Sequence, residues 1–206
     1  MTNENARLNF HDVVGAWDRA DEAHIHPLWE SDQDRYWASG EYQAAQVGEW
    51  ARKGATVVDF GCGNGRLTVP LARMGYDTIG VDASTTMLQR LSERTEEAGV
   101  KVRSVQSDGS DLAAKLGKKK ADVVVIRAVL IHHDYAGVEK IVTGVTKALK
   151  RGGHLIADWP IGERPGERET WISVTVWDAL HRLKVAEKAG LVPVRVGDDP
   201  TVWRKA

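Results

Sequence analysis

The chain has 206 residues, 42% hydrophobic and 28% charged, with 28 Lys and Arg against 29 Asp and Glu. That length suits one domain with room for a short appendage, and buries enough apolar surface to need no disulfide or metal staple; the composition excludes disorder, collagen and coiled coil. A net charge of −1 and a single cysteine, Cys62, leave no general nucleic-acid footprint and fit a reducing compartment, no apolar run approaches the roughly 18 residues of a membrane span, and the first 14 residues lack a signal-peptide pattern, so the expectation is a cytoplasmic protein with no membrane partner.

Residues 1–40 form an acidic, aromatic-rich flank. Residues 1–50 hold three basic and ten acidic residues, a formal −7 that leaves +6 for the remainder, and such a flank would repel phosphate if it lined a site. Its His24-Ile25-His26 pair reads as solvated or capping rather than as an ion site. A helix is expected over 41–51. From residue 55 onward, short β-branched runs alternate with helical patterns: strands over 55–60, 76–81, 100–106, 121–127 and 154–158. Between them, Met87, Leu88, Leu91 and Ala98, and later Val138, Ile141, Val142, Val145 and Leu149, recur at three-and-four spacing. Ser84 and Asp134 stand where N-caps belong, and Gly152-Gly153 where the last of these helices stops. Beyond Asp158 come a Gly-, Pro- and charge-rich loop over 162–170, a helix over 176–189, and runs 191–196 and 201–205 joined by Gly197-Asp198-Asp199-Pro200 as a hairpin. Continuous apolar strands separated by helices predict an α/β fold: a Rossmann-like, seven-stranded, mostly parallel sheet with helices on both faces and an antiparallel last strand at its edge. The eight tryptophans (17, 29, 37, 50, 159, 171, 177 and 203) all avoid residues 51–158.

Ligands of such sheets sit beyond the carboxyl ends of the strands. Strand one ends in Asp59-Phe60-Gly61-Cys62-Gly63-Asn64-Gly65-Arg66. Such a turn lets backbone N–H groups approach a ligand beside a helix N-terminus. It is not the dinucleotide fingerprint, because Arg66 stands where that pattern has Gly or Ala. Strand two ends in Ile79-Gly80-Val81-Asp82, a carboxylate placed to accept both hydroxyls of a ribose. Strand three is followed by Ser107-Asp108-Gly109, where Asp108 could accept from an exocyclic amine and the Gly109 N–H could donate to a ring nitrogen. Each aspartate alone is commonly an N-cap; three such features in this order point to an adenosyl ligand.

These motifs resemble the class I S-adenosylmethionine-dependent methyltransferases. Val58–Gly65 is similar to the family's first motif, Gly80-Val81-Asp82-Ala83-Ser84 to its acidic strand tip, Ser107-Asp108-Gly109 to its adenine turn, and Leu149-Lys150-Arg151-Gly152-Gly153 to the turn before strand five. The resemblance implies a methyltransferase domain over 41–206, with a cofactor half (55–158) and an acceptor-side half (159–206), behind an N-terminal cap over 1–40. It further implies that Gly61, Cys62, Gly63 and Asn64 surround the methionine moiety, with Asp59 anchoring the loop. Asp82 would take the ribose hydroxyls, Ala83 and Met87 flank the adenine, Asp108 and Gly109 read its edge, and Arg127-Ala128 supply a carbonyl to the methionine amino group.

A sulfonium is an activated methyl donor, so the protein need only align a nucleophile and exclude water. No metal is expected, since Ile131-His132-His133 and Asp158-Trp159-Pro160 replace the carboxylate clusters of the family's metal-dependent branch. If the acceptor is a hydroxyl or protonated amine, His132 or His133 is the candidate base and Asp158 a lesser one. The leading reading is O- or N-methylation of a small molecule. A nucleic-acid or protein methyltransferase is the alternative: no Asn/Asp-Pro-Pro-aromatic segment follows strand four, and Lys118-Lys119-Lys120 lies at the opposite end of the sheet. A non-catalytic cofactor-binding scaffold is a third. In related enzymes N-terminal flanks cover the cofactor; Tyr36 and Trp37, with Trp159, are the candidate lid and acceptor contacts.

Overall fold

The computed structural model describes residues 12–19, 32–169, 173–195 and 201–206. His24, His26, Trp29, Trp171 and the 197–200 turn lie outside them. Helices α1 (Val13–Arg19) and α2 (Gln33–Val47) precede strand β1 (Thr56–Phe60). There follow α3 (Thr68–Arg73), β2 (Asp77–Asp82), α4 (Thr85–Glu97), β3 (Arg103–Gln106), α5 (Leu112–Leu116), β4 (Ala121–Ile126), a 3-10 turn (Leu130–His132), α6 (Tyr135–Ala148) and β5 (Leu149–Ala157). Then come β6 (Gly166–Glu169), β7 (Ser173–Val176), α7 (Ala179–Lys188), β8 (Leu191–Arg195) and β9 (Thr201–Lys205).

The seven-stranded sheet has the order β3-β2-β1-β4-β5-β9-β8. All pairings from β3 to β5 are parallel, and β9 is antiparallel to both of its neighbours. The reversed strand is therefore not at the edge, as the hairpin reading had it. Burial explains the exchange: Thr201, Val202 and Trp203 of β9 are buried, whereas Val192, Pro193, Val194 and Arg195 of β8 are exposed. Pro193 cannot donate to a ladder, and an edge tolerates it.

Two apolar clusters cover the sheet. One joins β1, β2, β4 and β5 to Leu112 of α5, Val138, Ile141, Val142 and Val145 of α6 and Val185 of α7. The other places Ala44 and Val47 of α2 and Leu71 of α3 against Val57, Val123 and Val125. Ser84 caps α4 by accepting from Met87 N (3.1 Å), and Asp134 caps α6 by accepting from Gly137 N (2.7 Å), as the sequence predicts.

Four boundaries move. Helix α2 begins at Gln33, not at 41, because the Asp32 carboxylate caps it through Arg35 N (3.0 Å). It runs unbroken through Gly40, so the expected division between 40 and 41 falls inside a helix. Gly40 is there for proximity: an added Cβ would lie 2.1 Å from the Arg66 carbonyl oxygen. Strand β5 starts at Leu149 and shifts register on its way to His154, so Gly152 and Gly153 belong to the strand's irregular start. Helix α7 starts only after its cap, Asp178. The expected 162–170 loop contains β6, which pairs with β7 as a small separate antiparallel sheet. Among the described residues no helix is long and apolar enough to cross a membrane.

Helix α6 lies against the Ser107–Gly109 turn so closely that a Cβ at Gly144 would sit 2.0 Å from the Gly109 carbonyl oxygen. The obstacle is backbone, which cannot swing aside. Gly144→Ala should lower stability by about 1–3 kcal/mol in urea denaturation; an unchanged midpoint would show that the turn is free to retreat.

Candidate cofactor and acceptor site

The parallel strands deliver their carboxyl ends to one side, and a cavity of about 430 Å³ opens there under α1 and α2. The glycine loop forms its floor. Gly61 and Cys62 donate to the Val81 carbonyl (2.7 and 3.0 Å), stitching the tip of β1 to β2. Gly61 and Gly63 have φ of +73° and +51°, the left-handed region where a side chain is strained. At Gly61 a Cβ would strike Val129 at 2.2 Å; at Gly63 it would meet nothing within 4 Å. The loop is thus packed from behind at one glycine and open at the other.

Asp82 stands at the tip of β2 and accepts from Gly63 N and Ser84 N, each at 2.9 Å. Burial raises its pKa. Ser84 donates in turn to Asp18 at the end of α1 (2.5 Å), so the acidic strand tip and the covering helix are tied together. Asp59, buried behind the loop, accepts from Thr68 Oγ1 (2.6 Å), and burial pushes its pKa up to about 6. Burial also raises the Cys62 thiol, which leaves it a small apolar filler. Asp108 is held well below the ordinary carboxylate range by Lys140 at 2.7 Å and by Ser110.

Opposite the loop, the tips of β4 and β5 are locked together. Arg127 Nη1 donates to Asp158 Oδ1 (2.5 Å), Arg127 Nη2 to Gln46 Oε1 of α2 (2.8 Å), and Ala128 N to Asp158 Oδ2 (3.0 Å). Ala128 has a φ of +55°, uncommon without glycine, and the Asp158 bond holds it there. His132 and His133 follow on the next turn and both line the cavity. His132 is buried, with its ring 6.2 Å from that of Trp17. Burial, then the charge of His132, lowers the pKa of His133, and the His133 carbonyl accepts from Thr175 Oγ1 of β7 (2.6 Å).

Of the residues singled out in the sequence, Asp59, Gly61, Cys62, Gly63, Asp82, Ala83, Met87, Asp108, Arg127, Ala128, His132, His133, Asp158 and Tyr36 all line this one cavity. Four do not. Asn64 is buried behind the loop and accepts from the Tyr36 hydroxyl (3.3 Å). The Gly109 N–H is already committed to Ser107 Oγ (3.0 Å). Trp37 turns outward beneath the Arg94 guanidinium, 3.8 Å from its ring centroid, and lines a neighbouring cleft. Trp159 is 2% exposed, with its ring against those of Trp177 and Trp203; it is a core anchor and not a lid. Asp158, with both oxygens engaged, is placed to position Arg127 and Ala128 rather than to take a proton. Reasoning from sequence missed Val13, Val14 and Trp17 of α1, Ser39 and Gln43 of α2, and Arg66, all lining the cavity. The α2 pair carried a signal, since Tyr36, Ser39 and Gln43 share one face once the helix starts at Asp32; α1 carried none. Among the described residues no group of three His, Cys, Asp or Glu is arranged to hold a metal ion.

Residues 57–153 match a family described as a methyltransferase domain. A ubiquinone biosynthesis O-methyltransferase from Azorhizobium caulinodans is 35% identical over 104 residues, 50% of this chain and 37% of that protein. One from Cereibacter sphaeroides is 28% identical over 159 residues, 69% of this chain and 62% of that protein. The chain thus spans between about a third and two thirds of these relatives' length. Among solved structures, magnesium protoporphyrin IX methyltransferase from Synechocystis PCC 6803 with bound S-adenosylmethionine superposes with a TM-score of 0.69 at 18% identity, covering 100% of this chain and 99% of that one. An O-methyltransferase family protein from Burkholderia thailandensis gives 0.66 at 16% identity, covering 94% and 59%. Residues 57–153 are thus similar to a methyltransferase domain, and the sheet has the fold of a methyltransferase solved with S-adenosylmethionine bound. The cavity has room for a ligand at the loop: Gly63 leaves open the space a Cβ would take, and Asp82 lines the same cavity.

The raised pKa of Asp59 has a sign that can be measured. Folding strengthens its hold on the proton, so its contribution to stability is fully present below about pH 4 and lost as pH rises through about 6. A two-unit shift corresponds to about 3 kcal/mol. Asp59→Asn should therefore flatten the stability profile between pH 4 and 7 relative to the parent, measured by denaturant melts at each pH; parallel profiles would mean that the carboxyl is not desolvated as the fold implies.

Proposed function

We propose that the protein transfers the methyl group of S-adenosylmethionine to an oxygen or nitrogen of a small-molecule acceptor, without a metal. One observation carries this reading: a single cavity brings a glycine loop, the carboxylate of Asp82 and two histidines to the same strand tips. Its volume suits small ligands, and the names of the relatives, O-methyltransferases of ubiquinone biosynthesis and a porphyrin methyltransferase, support a small-molecule acceptor and favour oxygen.

When bound, the cofactor supplies a methyl group already activated on sulfonium. Asp82 accepts from the ribose hydroxyls, Ala83 and Met87 flank the adenine, Asp108 accepts from its edge, and Gly61 and Gly63 let the chain approach the methionine end. The Arg127–Ala128 turn presents its carbonyl to the amino group, in the shape Asp158 imposes. Trp17 and the valines of α1 close the cavity and exclude water. His132 or His133 takes the acceptor's proton; burial keeps His133 in the neutral form that accepts one.

An acceptor screen that reports S-adenosylhomocysteine release from small phenols and amines, oligonucleotides and peptides tests the substrate class, and turnover confined to oligonucleotides or peptides would overturn it. On the acceptor found, replacing the base, His132→Gln or His133→Gln, should lower kcat about 10²- to 10⁴-fold while leaving S-adenosylhomocysteine affinity unchanged in calorimetry. If neither variant loses more than a few-fold, alignment alone drives the transfer. Asp82→Ala should weaken S-adenosylhomocysteine binding by about tenfold or more; wild-type affinity in that variant would displace the cofactor from this end of the sheet.

A further inference from the structure

One buried charge lies outside the cavity. Arg182 of α7 is 2% exposed and is not among the cavity's lining residues. Among the described residues it has no carboxylate partner, its Nε is buried without an acceptor, and its guanidinium carbon lies 5.8 Å from the centroid of the Trp203 ring. Taking a guanidinium out of water without a counter-charge is costly, and a methionine of similar length would fill the same space beside the indole. In return its side chain finds one acceptor among the described residues: Nη1 donates to the Trp159 carbonyl (2.6 Å).

That carbonyl stands at a particular place. Trp159 directly follows Asp158, and Pro160 follows Trp159, so the link between the last two has no N–H and the carbonyl is its one polar group. No described backbone N–H reaches it, and a buried carbonyl left in that state costs free energy. On either side the segment is pinned to the fold, by Asp158 N on the Ile126 carbonyl (3.0 Å) and by Trp177 N on the Pro160 carbonyl (2.9 Å). We propose that Arg182 is a positioning residue for the cofactor: by fixing the Trp159 carbonyl it fixes the backbone that carries the Asp158 carboxylate, and through it the Arg127–Ala128 turn. The proposal rests on the reading that this turn presents its carbonyl to the amino group of S-adenosylmethionine. Asp158 holds Arg127 with one oxygen and Ala128 N with the other, so a small rotation of its backbone loosens both. Ala128 has no preference of its own for a φ of +55° and keeps it only while that carboxylate stays in place. The buried charge is thus retained for the placement of the turn and not for the stability of the core.

Isothermal calorimetry and urea melts of Arg182→Met separate a positioning role from a structural one. S-adenosylhomocysteine carries the amino group that the turn would meet, and 5′-methylthioadenosine keeps the adenosine and thioether but lacks it. The variant should bind S-adenosylhomocysteine about 5- to 50-fold more weakly and 5′-methylthioadenosine within about twofold of the parent. Its urea midpoint should fall by no more than about 0.5 M, because the lost bond is offset by the charge that is no longer buried. Arg182→Lys, which keeps the charge and a donor, should recover part of the affinity. A larger fall in midpoint, or equal weakening of both ligands, makes Arg182 a prop of the core and overturns the proposal; so does a variant that binds both ligands as the parent does. If the parent itself binds neither ligand, the failure belongs to the cofactor reading, and the proposal falls with it.

Discussion

The buried ion pair between Arg127 and Asp158 holds the working end of the sheet in shape. The Arg127 side chain is only 2% exposed and that of Asp158 27%, so removing the carboxylate would leave a buried guanidinium uncompensated, at a cost on the order of 3 kcal/mol. The pair also does geometric work. It joins adjacent strand tips, its second carboxylate oxygen fixes Ala128 in a left-handed conformation, and the far side of the guanidinium reaches Gln46 of α2. The wall after β4, the floor at β5 and the covering helix are therefore positioned by one guanidinium and one carboxylate. The two histidines leave from the turn that this pair shapes, and the β6–β7 hairpin steadies them from outside through Thr175.

The electrostatics of the cavity follow from what is buried around that pair. Asp59 and Asp82 are removed from water, and in both burial raises the pKa above the ordinary carboxylate value. Neither has a lysine or arginine bonded to it. Asp82 is stabilised by backbone N–H groups of the glycine loop and of the α4 N-terminus, Asp59 by one hydroxyl. Such a site favours a cation and draws these carboxyls toward ionisation as the cation enters. The sulfonium and ammonium groups of the proposed cofactor would supply that charge together.

What could be read from the sequence was local. Asp59, the glycines, Asp82 and Asp108 announce themselves because each follows an apolar run by one or two residues, and parallel strands carry such tips to the same place. The caps Ser84 and Asp134 were legible for the same reason. What escaped depends on contacts between distant segments. Gly40 looks like a helix breaker until the Arg66 carbonyl is seen beside it, and Gly109 looks like a free donor until Ser107 takes its N–H. Trp159 follows a strand tip in sequence, yet its ring turns into the core against Trp177 and Trp203. The short helix α1, with only seven residues, brings Trp17 into the cavity; nothing in its own pattern foretells that. Three tryptophans beyond the tryptophan-free stretch 51–158 (159, 177 and 203) fill volume and do not face the site.

The placement of β9 between β5 and β8 has a consequence for the order in which the molecule can assemble. Strands β1 to β5 and the helices between them come from one continuous stretch and need nothing later in the chain to pair with one another. Strand β8 leaves the ribosome before β9, yet its place in the sheet exists only once β9 has docked on β5. The apolar face of α7 and the indole of Trp203 must wait for the same event. During synthesis the half from β1 to β5 can therefore consolidate first, while β5 stands as an open edge, and closure of that edge is a late, non-local and correspondingly slow step. The interval in which that edge stays unpaired is where the growing chain is most exposed to association with another copy of itself.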